Sequence, residues 1–153
     1  MKNKYLSLII ILSVTFLASG IGGIITSSSK EPWYSTIKLP TFGPPDWVFA
    51  PVWTSLYILM AIAAWHIWVN FKNRKILNIY YIHLIFNGLW SLIFFGLHNI
   101  LLALIDLFII LFFIILLMKK YYELNKFSFL LMVPYLLWSS FAFVLNFTIF
   151  ILN

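Results

Sequence analysis

The chain has 153 residues, 63% of them hydrophobic and only 9% charged, with a net charge of +6 and a mean hydropathy of +1.02. So few charges cannot cover that much apolar side chain in water, which excludes an ordinary soluble domain and makes a lipid bilayer the natural solvent. The absence of cysteine excludes disulfides, thiolate metal sites and cysteine nucleophiles, without naming a compartment.

Apolar runs between charged breaks predict five spans: Tyr5–Thr26, Trp47–Val69, Leu77–Leu97, Leu101–Met118 and Phe127–Leu152. Each is close to the roughly 20 residues that cross a bilayer core as a helix. The runs are too long and too uniformly apolar for barrel strands. Only a helix satisfies its own backbone hydrogen bonds in lipid. The expected architecture is a single all-α integral membrane domain over residues 1–153, a five-helix bundle with a long loop after the first helix.

In the first run, Lys2 and Lys4 precede the apolar stretch and Ala18-Ser19-Gly20 has the composition of a signal-peptide cleavage site. The run continues through Ile24-Ile25, long enough to span, so an uncleaved helix is expected. Gly20, Gly22 and Gly23 then read as close-packing positions against another helix.

The stretch from Pro32 to Tyr57 follows, with three of the seven Trp (Trp33, Trp47, Trp53) and five of the six Pro. A connector stiffened by proline and furnished with flat rings is suited to holding a planar hydrophobic ligand. In span two, Trp53 and Tyr57 lie one helical turn apart and share a face. Trp47 at one end, and Trp65 and Trp68 at the other, read as interfacial belt or core residues.

Span three carries the stripe Asn87, Trp90, Ser91 and Phe94. Asn87 is an amide midway through a span and requires a protein, water or ligand partner. In span four, Asp106 stands about a turn and a half from the start. It reads as structural, placed to reach the interface or to accept hydrogen bonds from a neighbouring helix or the loop. Span five places Trp138 and Ala142 on one face with Phe141 beside them. His66, His83 and His98 lack metal-ligand spacing and read as interfacial residues, so no metal site is expected. The four carboxylates form no acid pair and no Ser/His/Asp pattern, which argues against hydrolytic or metal catalysis.

Eight basic residues (Lys2, Lys4, Lys72, Arg74, Lys75, Lys119, Lys120, Lys126) fall at one end of the predicted bundle, against Lys30 and Lys38 at the other. The positive-inside rule then places the N-terminus in the cytoplasm and the C-terminus outside, with the Trp-rich loop facing away from the cytoplasm. Basic ends beside anionic headgroups account for the charge and remove the case for a nucleic-acid partner. Heavy Ile, Leu, Lys and Asn usage fits an AT-rich bacterial genome, and hence a bacterial cytoplasmic membrane.

The order Trp33-Tyr34, Pro40, Pro44-Pro45, Phe49, Pro51-Val52-Trp53 and Leu56-Tyr57 resembles the first signature of the TspO/translocator protein family, the tryptophan-rich sensory proteins. Further matches are Asn87, Trp90 and Phe94-Phe95, then Asp106, then Pro134-Tyr135, Trp138, Phe141-Ala142 and Asn146. The resemblance covers nearly the whole chain. Two positions depart from the pattern: Leu39 stands where the family has Lys, and Phe42 where it has Trp. The end of the chain after Asn146 lacks the Tyr and basic residue of a sterol-recognition pattern.

The resemblance implies a membrane receptor for porphyrins, protoporphyrin IX or heme, with no cofactor required and a homodimer as the expected assembly. Its pocket would be enclosed by spans one, two, three and five and lidded by the loop. The implied ligand-binding residues are Trp33, Tyr34, Pro40, Phe42, Pro44, Pro45, Phe49, Trp53, Tyr57, Asn87, Trp90, Phe94, Trp138, Phe141 and Ala142. Lys30 or Lys38 would meet propionates at the water edge. The biological outcome would be stress-linked sensing, transport or disposal of tetrapyrroles. A catalytic alternative is light- and oxygen-dependent degradation of bound protoporphyrin, with Trp53 and Trp138 as the redox residues. A third reading, a scaffold or transporter subunit, leaves the aromatic loop without a purpose.

Overall fold

The computed structural model describes residues 3–153; Lys2, counted in the charge argument, lies outside the described residues. Six helices follow one another: α1 (Lys4–Ser29), α2 (Trp33–Thr36), α3 (Asp46–Phe71), α4 (Arg74–Ser91), α5 (Ile100–Leu124) and α6 (Lys126–Leu152). All except α2 are long and apolar enough to cross a membrane, taking α4 with its continuation to Gly96. They expose large apolar side chains along their outer faces, among them Leu17, Ile85, Phe108, Phe112, Leu137 and Ile151. Only lipid covers such a surface without penalty.

Asparagine starts four of the five long helices. The side chains of Asn3, Asn73, Asn99 and Asn125 accept backbone N–H groups from Tyr5 and Leu6, Ile76, Leu102 and Ser128 respectively. Each satisfies donors that a helix start leaves free. The fifth, α3, is entered through Pro45, with Asp46 in its first turn where a carboxylate suits the positive end of the helix dipole.

The α4 helix does not stop at Ser91. It widens into a π-helical turn over Leu92–Gly96, closed by the Leu97 amide donating to the Leu92 carbonyl at 2.8 Å. This turn buries both Phe94 and Phe95. It ends at His98, whose φ of 53° reverses the chain into α5.

The long helices close a ring: α1 lies between α3 and α4, α5 between α4 and α6, and α6 returns to α3. The centre is packed by Ile11, Met60, Tyr80, Ile114, Leu117, Tyr121, Met132 and Tyr135, all fully buried. Where α1 crosses α4, a Cβ on Gly22 would meet Ser91 Oγ at 3.1 Å, so the absence of a side chain lets the two helices approach closely there. Gly20 and Gly23 meet nothing within 4 Å. The close packing expected of all three glycines is therefore made by Gly22 alone, because the other two point away from the neighbouring helix.

The predicted fourth span ends too early. Lys119 and Lys120 break the apolar run after Met118, yet α5 continues to Leu124. Leu117, Met118 and fully buried Tyr121 keep its inner face packed past the lysines.

Candidate functional site

One end of the bundle carries the loop, the α4–α5 turn and the end of α6. The short helix α2 sets Trp33 and Tyr34 down on the π-helical turn. The Trp33 ring meets Phe94 edge-on at 5.3 Å and stacks on His98 at 4.5 Å. Tyr34 packs against Phe95 at 5.7 Å, and Phe94 stacks on Trp90 at 5.0 Å. Trp90 donates its indole N–H to Asn146 Oδ1 at 3.1 Å, and Asn146 donates onward to the Ile100 carbonyl at 3.2 Å. This first aromatic group ties the loop to α4, α5 and α6.

A second group runs down α3 and α6. Phe42 reaches Phe141 at 6.4 Å, and Phe49 meets Trp138 edge-on at 6.0 Å. Trp138 tilts against Phe141 at 5.5 Å. Trp53 stacks on Tyr57 at 5.7 Å and meets Tyr135 edge-on at 6.2 Å. Ala142, half-buried one turn from Trp138, adds a small side chain to the same face. The expected aromatic site residues thus stand in two walls.

Below the second group runs a buried polar thread. Tyr57 donates its hydroxyl to Asn87 Oδ1, and Asn87 Nδ2 donates to the Tyr135 hydroxyl at 2.8 Å. That hydroxyl also lies 2.6 Å from His83 Nε2. Both ends of the Asn87 amide are thus engaged between helices. His83 is fully buried in the bundle, which corrects its reading as interfacial: ten residues into α4, its side chain points inward at the centre of the ring. The other two histidines go elsewhere, His66 to Ser128 Oγ at 3.2 Å and His98 to the Trp33 ring. Among the described residues no three His, Asp or Glu side chains gather. Asp106 is buried within the bundle, and its Oδ2 has no partner among the described residues.

Between the walls, directly under the loop, lies a cavity of about 80 Å³. Tyr34, Pro40, Pro44 and Phe49 line it from the expected set. Leu39, Gly43, Asp46, Leu145 and Ile149 complete it. Pro45 sits at its edge as the residue before α3. Trp53, Asn87, Trp90, Trp138, Phe141 and Ala142 are not part of this lining. Leu145 and Ile149, one turn apart on α6, carried no aromatic or polar signal that sequence reasoning could use. Gly43 is required by close approach, since a Cβ there would meet the Pro40 carbonyl at 3.3 Å. Sites for drug-sized ligands measure roughly 300–1,000 Å³, so the cavity as it stands is too small for one.

Besides these aromatic contacts, a few polar ones fasten the loop at its rim. Lys30 pairs with Asp46, joining the loop's start to its end, and its ammonium also lies 4.6 Å over the Tyr34 ring. Asn153 grips Lys38 from both sides, accepting its amide at 2.8 Å and donating to its carbonyl at 3.0 Å. Burial raises the Tyr34 phenol above its ordinary 10.0, and the Asp46 and Glu31 carboxylates push it further. The ring therefore stays neutral, and able to donate a hydrogen bond, throughout the physiological range.

A sequence model of the TspO/MBR family matches residues 9–152. A tryptophan-rich protein TspO of Archaeoglobus fulgidus is 37% identical over 149 residues, covering 96% of this chain and 94% of the relative. A tryptophan-rich sensory protein of Cereibacter sphaeroides is 35% identical over 144 residues, 93% and 91% of the two chains. The human translocator protein is 30% identical over 122 residues, 76% and 72% of the two chains.

Proposed function

The chain belongs to the TspO/MBR family, and from that premise we propose that it binds flat hydrophobic tetrapyrroles, such as protoporphyrin IX or heme, beneath the loop. One observation carries the reading: a proline-stiffened loop roofs a small cavity between two aromatic walls and is held at its rim by solvent-accessible polar contacts. An exposed ion pair contributes about 0–1 kcal/mol, and a hydrogen bond about 0.5–1.5 kcal/mol net. Lifting the loop breaks these contacts and the packing of Trp33, Tyr34 and Phe42 on the bundle, a cost that the apolar area buried by a macrocycle, at about 25 cal/mol per Å², offsets.

Once the loop is raised, Phe49 and Trp138 offer ring faces for stacking, and the Tyr34 hydroxyl and loop amides offer orientation. Lys30 is held by Asp46, so Lys38 is the cation better placed to meet a propionate. In this reading the N-terminus lies in the cytoplasm of a bacterial cell and the loop on the outer face. The protein acts as a homodimer in stress-linked sensing, transport or disposal of the pigment.

A second reading has the bound porphyrin degraded under light and oxygen. The stack of Trp53 on Tyr57, with Tyr135 at its edge, favours it by placing oxidisable rings in sequence behind the cavity. Titrating the detergent-solubilised protein with protoporphyrin IX, heme and a sterol, and following Trp fluorescence, tests the proposal. Saturable quenching by the tetrapyrroles and none by the sterol is expected. Absence of saturable quenching by both tetrapyrroles would remove the proposal. Illumination of the loaded protein then separates the readings, since degradation yields a new absorbing product and binding alone preserves the pigment.

A further inference from the structure

At the opposite end of the bundle, where α4 begins and α5 finishes, lies a second cleft of about 280 Å³. We propose that this cleft is a binding site for one membrane phospholipid with an anionic phosphodiester headgroup bearing hydroxyl donors, of the phosphatidylglycerol kind. Its floor is apolar, made by Ile76, Ile79 and Leu124; its rim carries Lys75, Lys120, Glu123 and Asn73.

Depth selects a lipid. A helix of 25 residues rises about 37 Å, and a bilayer's hydrocarbon core is about 30 Å thick. The last turns of α5, with Lys120 and Glu123, therefore stand among headgroups, as does the start of α4 with Lys75. An amphipathic lipid presents the matching profile, with acyl chains against Ile79 and the phosphate beside the ammonium groups. A freely soluble phosphate ester would leave the apolar floor uncovered.

Charge selects the headgroup. Among the described residues, Lys75, Lys120 and Glu123 form no ion pair, so all three are free to meet a ligand. Two cations and one carboxylate leave a net single positive charge, which complements one phosphodiester. Glu123 would repel a second anionic group but accepts hydrogen bonds from headgroup hydroxyls. Asn73 has committed its Oδ1 to capping α4, which leaves its amide N–H₂ available to the phosphate.

The test is native mass spectrometry of the whole protein released from nanodiscs of phosphatidylglycerol and phosphatidylcholine. One tightly retained phosphatidylglycerol per chain is expected, in preference to phosphatidylcholine. The double variant Lys75→Gln/Lys120→Gln should lower its retention about thirtyfold, on the scale of headgroup attraction to two basic side chains. The control Lys119→Gln/Lys126→Gln removes equal charge outside the cleft and should leave retention unchanged. Glu123→Gln should narrow the discrimination against phosphatidic acid. Equal loss in both double variants would show only general surface attraction and overturn the site. Equal retention of phosphatidylcholine, or displacement of the lipid by millimolar glycerol phosphate, would overturn it as well. Circular dichroism of each variant establishes that it is folded before its retention is scored.

Discussion

The Tyr135 hydroxyl joins α6 to α4, taking a hydrogen from Asn87 and lying against His83, while Asn87 accepts from Tyr57 on α3. Removing it leaves two buried polar groups without a partner. Interhelical hydrogen bonds in membranes average only about 0.6 kcal/mol, but orphaned buried groups cost about 1–3 kcal/mol each. Tyr135→Phe should therefore destabilise the bundle by about 2 kcal/mol or more, more than Tyr57→Phe, as read from unfolding in mixed detergent. Equal effects would mean the thread is not centred on Tyr135. At the ligand, Trp138→Leu keeps apolar bulk but deletes a stacking face. Porphyrin affinity should fall about threefold to tenfold, the 0.5–1.5 kcal/mol that aromatic pairing adds to burial. Unchanged affinity in folded Trp53→Leu and Trp138→Leu proteins would place the ligand elsewhere. At this scale the sequence was legible in residue type and face: Asn87 had to find a partner, and it did. It was not legible in who the partners are, because Tyr57 and Tyr135 lie on other helices. Nor was His83 legible, because a lone histidine in an apolar run gives no sign of pointing inward.

In the proposed function the loop is the element that opens and closes. Pro40, Pro44 and Pro45 fix φ and limit the freedom of the loop when it is free of ligand, so less entropy is lost when it closes. Replacing Pro44 and Pro45 by Gly should speed porphyrin release several-fold while the melting temperature stays nearly unchanged, because bundle stability resides in helix packing. Stopped-flow dissociation and thermal melting measure the two. A large drop in melting temperature with an unaltered off-rate would assign the prolines to the fold instead. The five long helices were legible because apolar length alone specifies a span. The last six residues of α5 were hidden by Lys119 and Lys120, whose charges end an apolar run without ending a helix. The π-helical turn over Leu92–Gly96 has no sequence signal, and the rings that pack on it, Trp33 and Tyr34, come from a distant part of the chain. The capping asparagines were visible but carried no weight beside the hydropathy.

In the whole molecule, α1 crosses α4 and α6 closes against α3, an order that no single run announces because each helix is apolar on every side. Charge placement supplies what packing does not, an orientation. A reporter fused after Asn153 should read as outside the cytoplasm and one near Arg74 as inside; the reverse pattern would turn the loop to the cytoplasm. The central claim is that a porphyrin enters when the loop lifts from a cavity of about 80 Å³ that is otherwise too small for it. The chain lacks cysteine, so Lys38→Cys with Asn153→Cys creates a unique pair where the loop meets the end of α6. Protoporphyrin IX is titrated into this protein before and after the two thiols are joined by a short cross-linker, with Trp fluorescence as the readout. Saturable quenching before cross-linking and its loss afterwards is the expected result. Equal quenching in both states would contradict the account, since the ligand would then bind without the loop having to move.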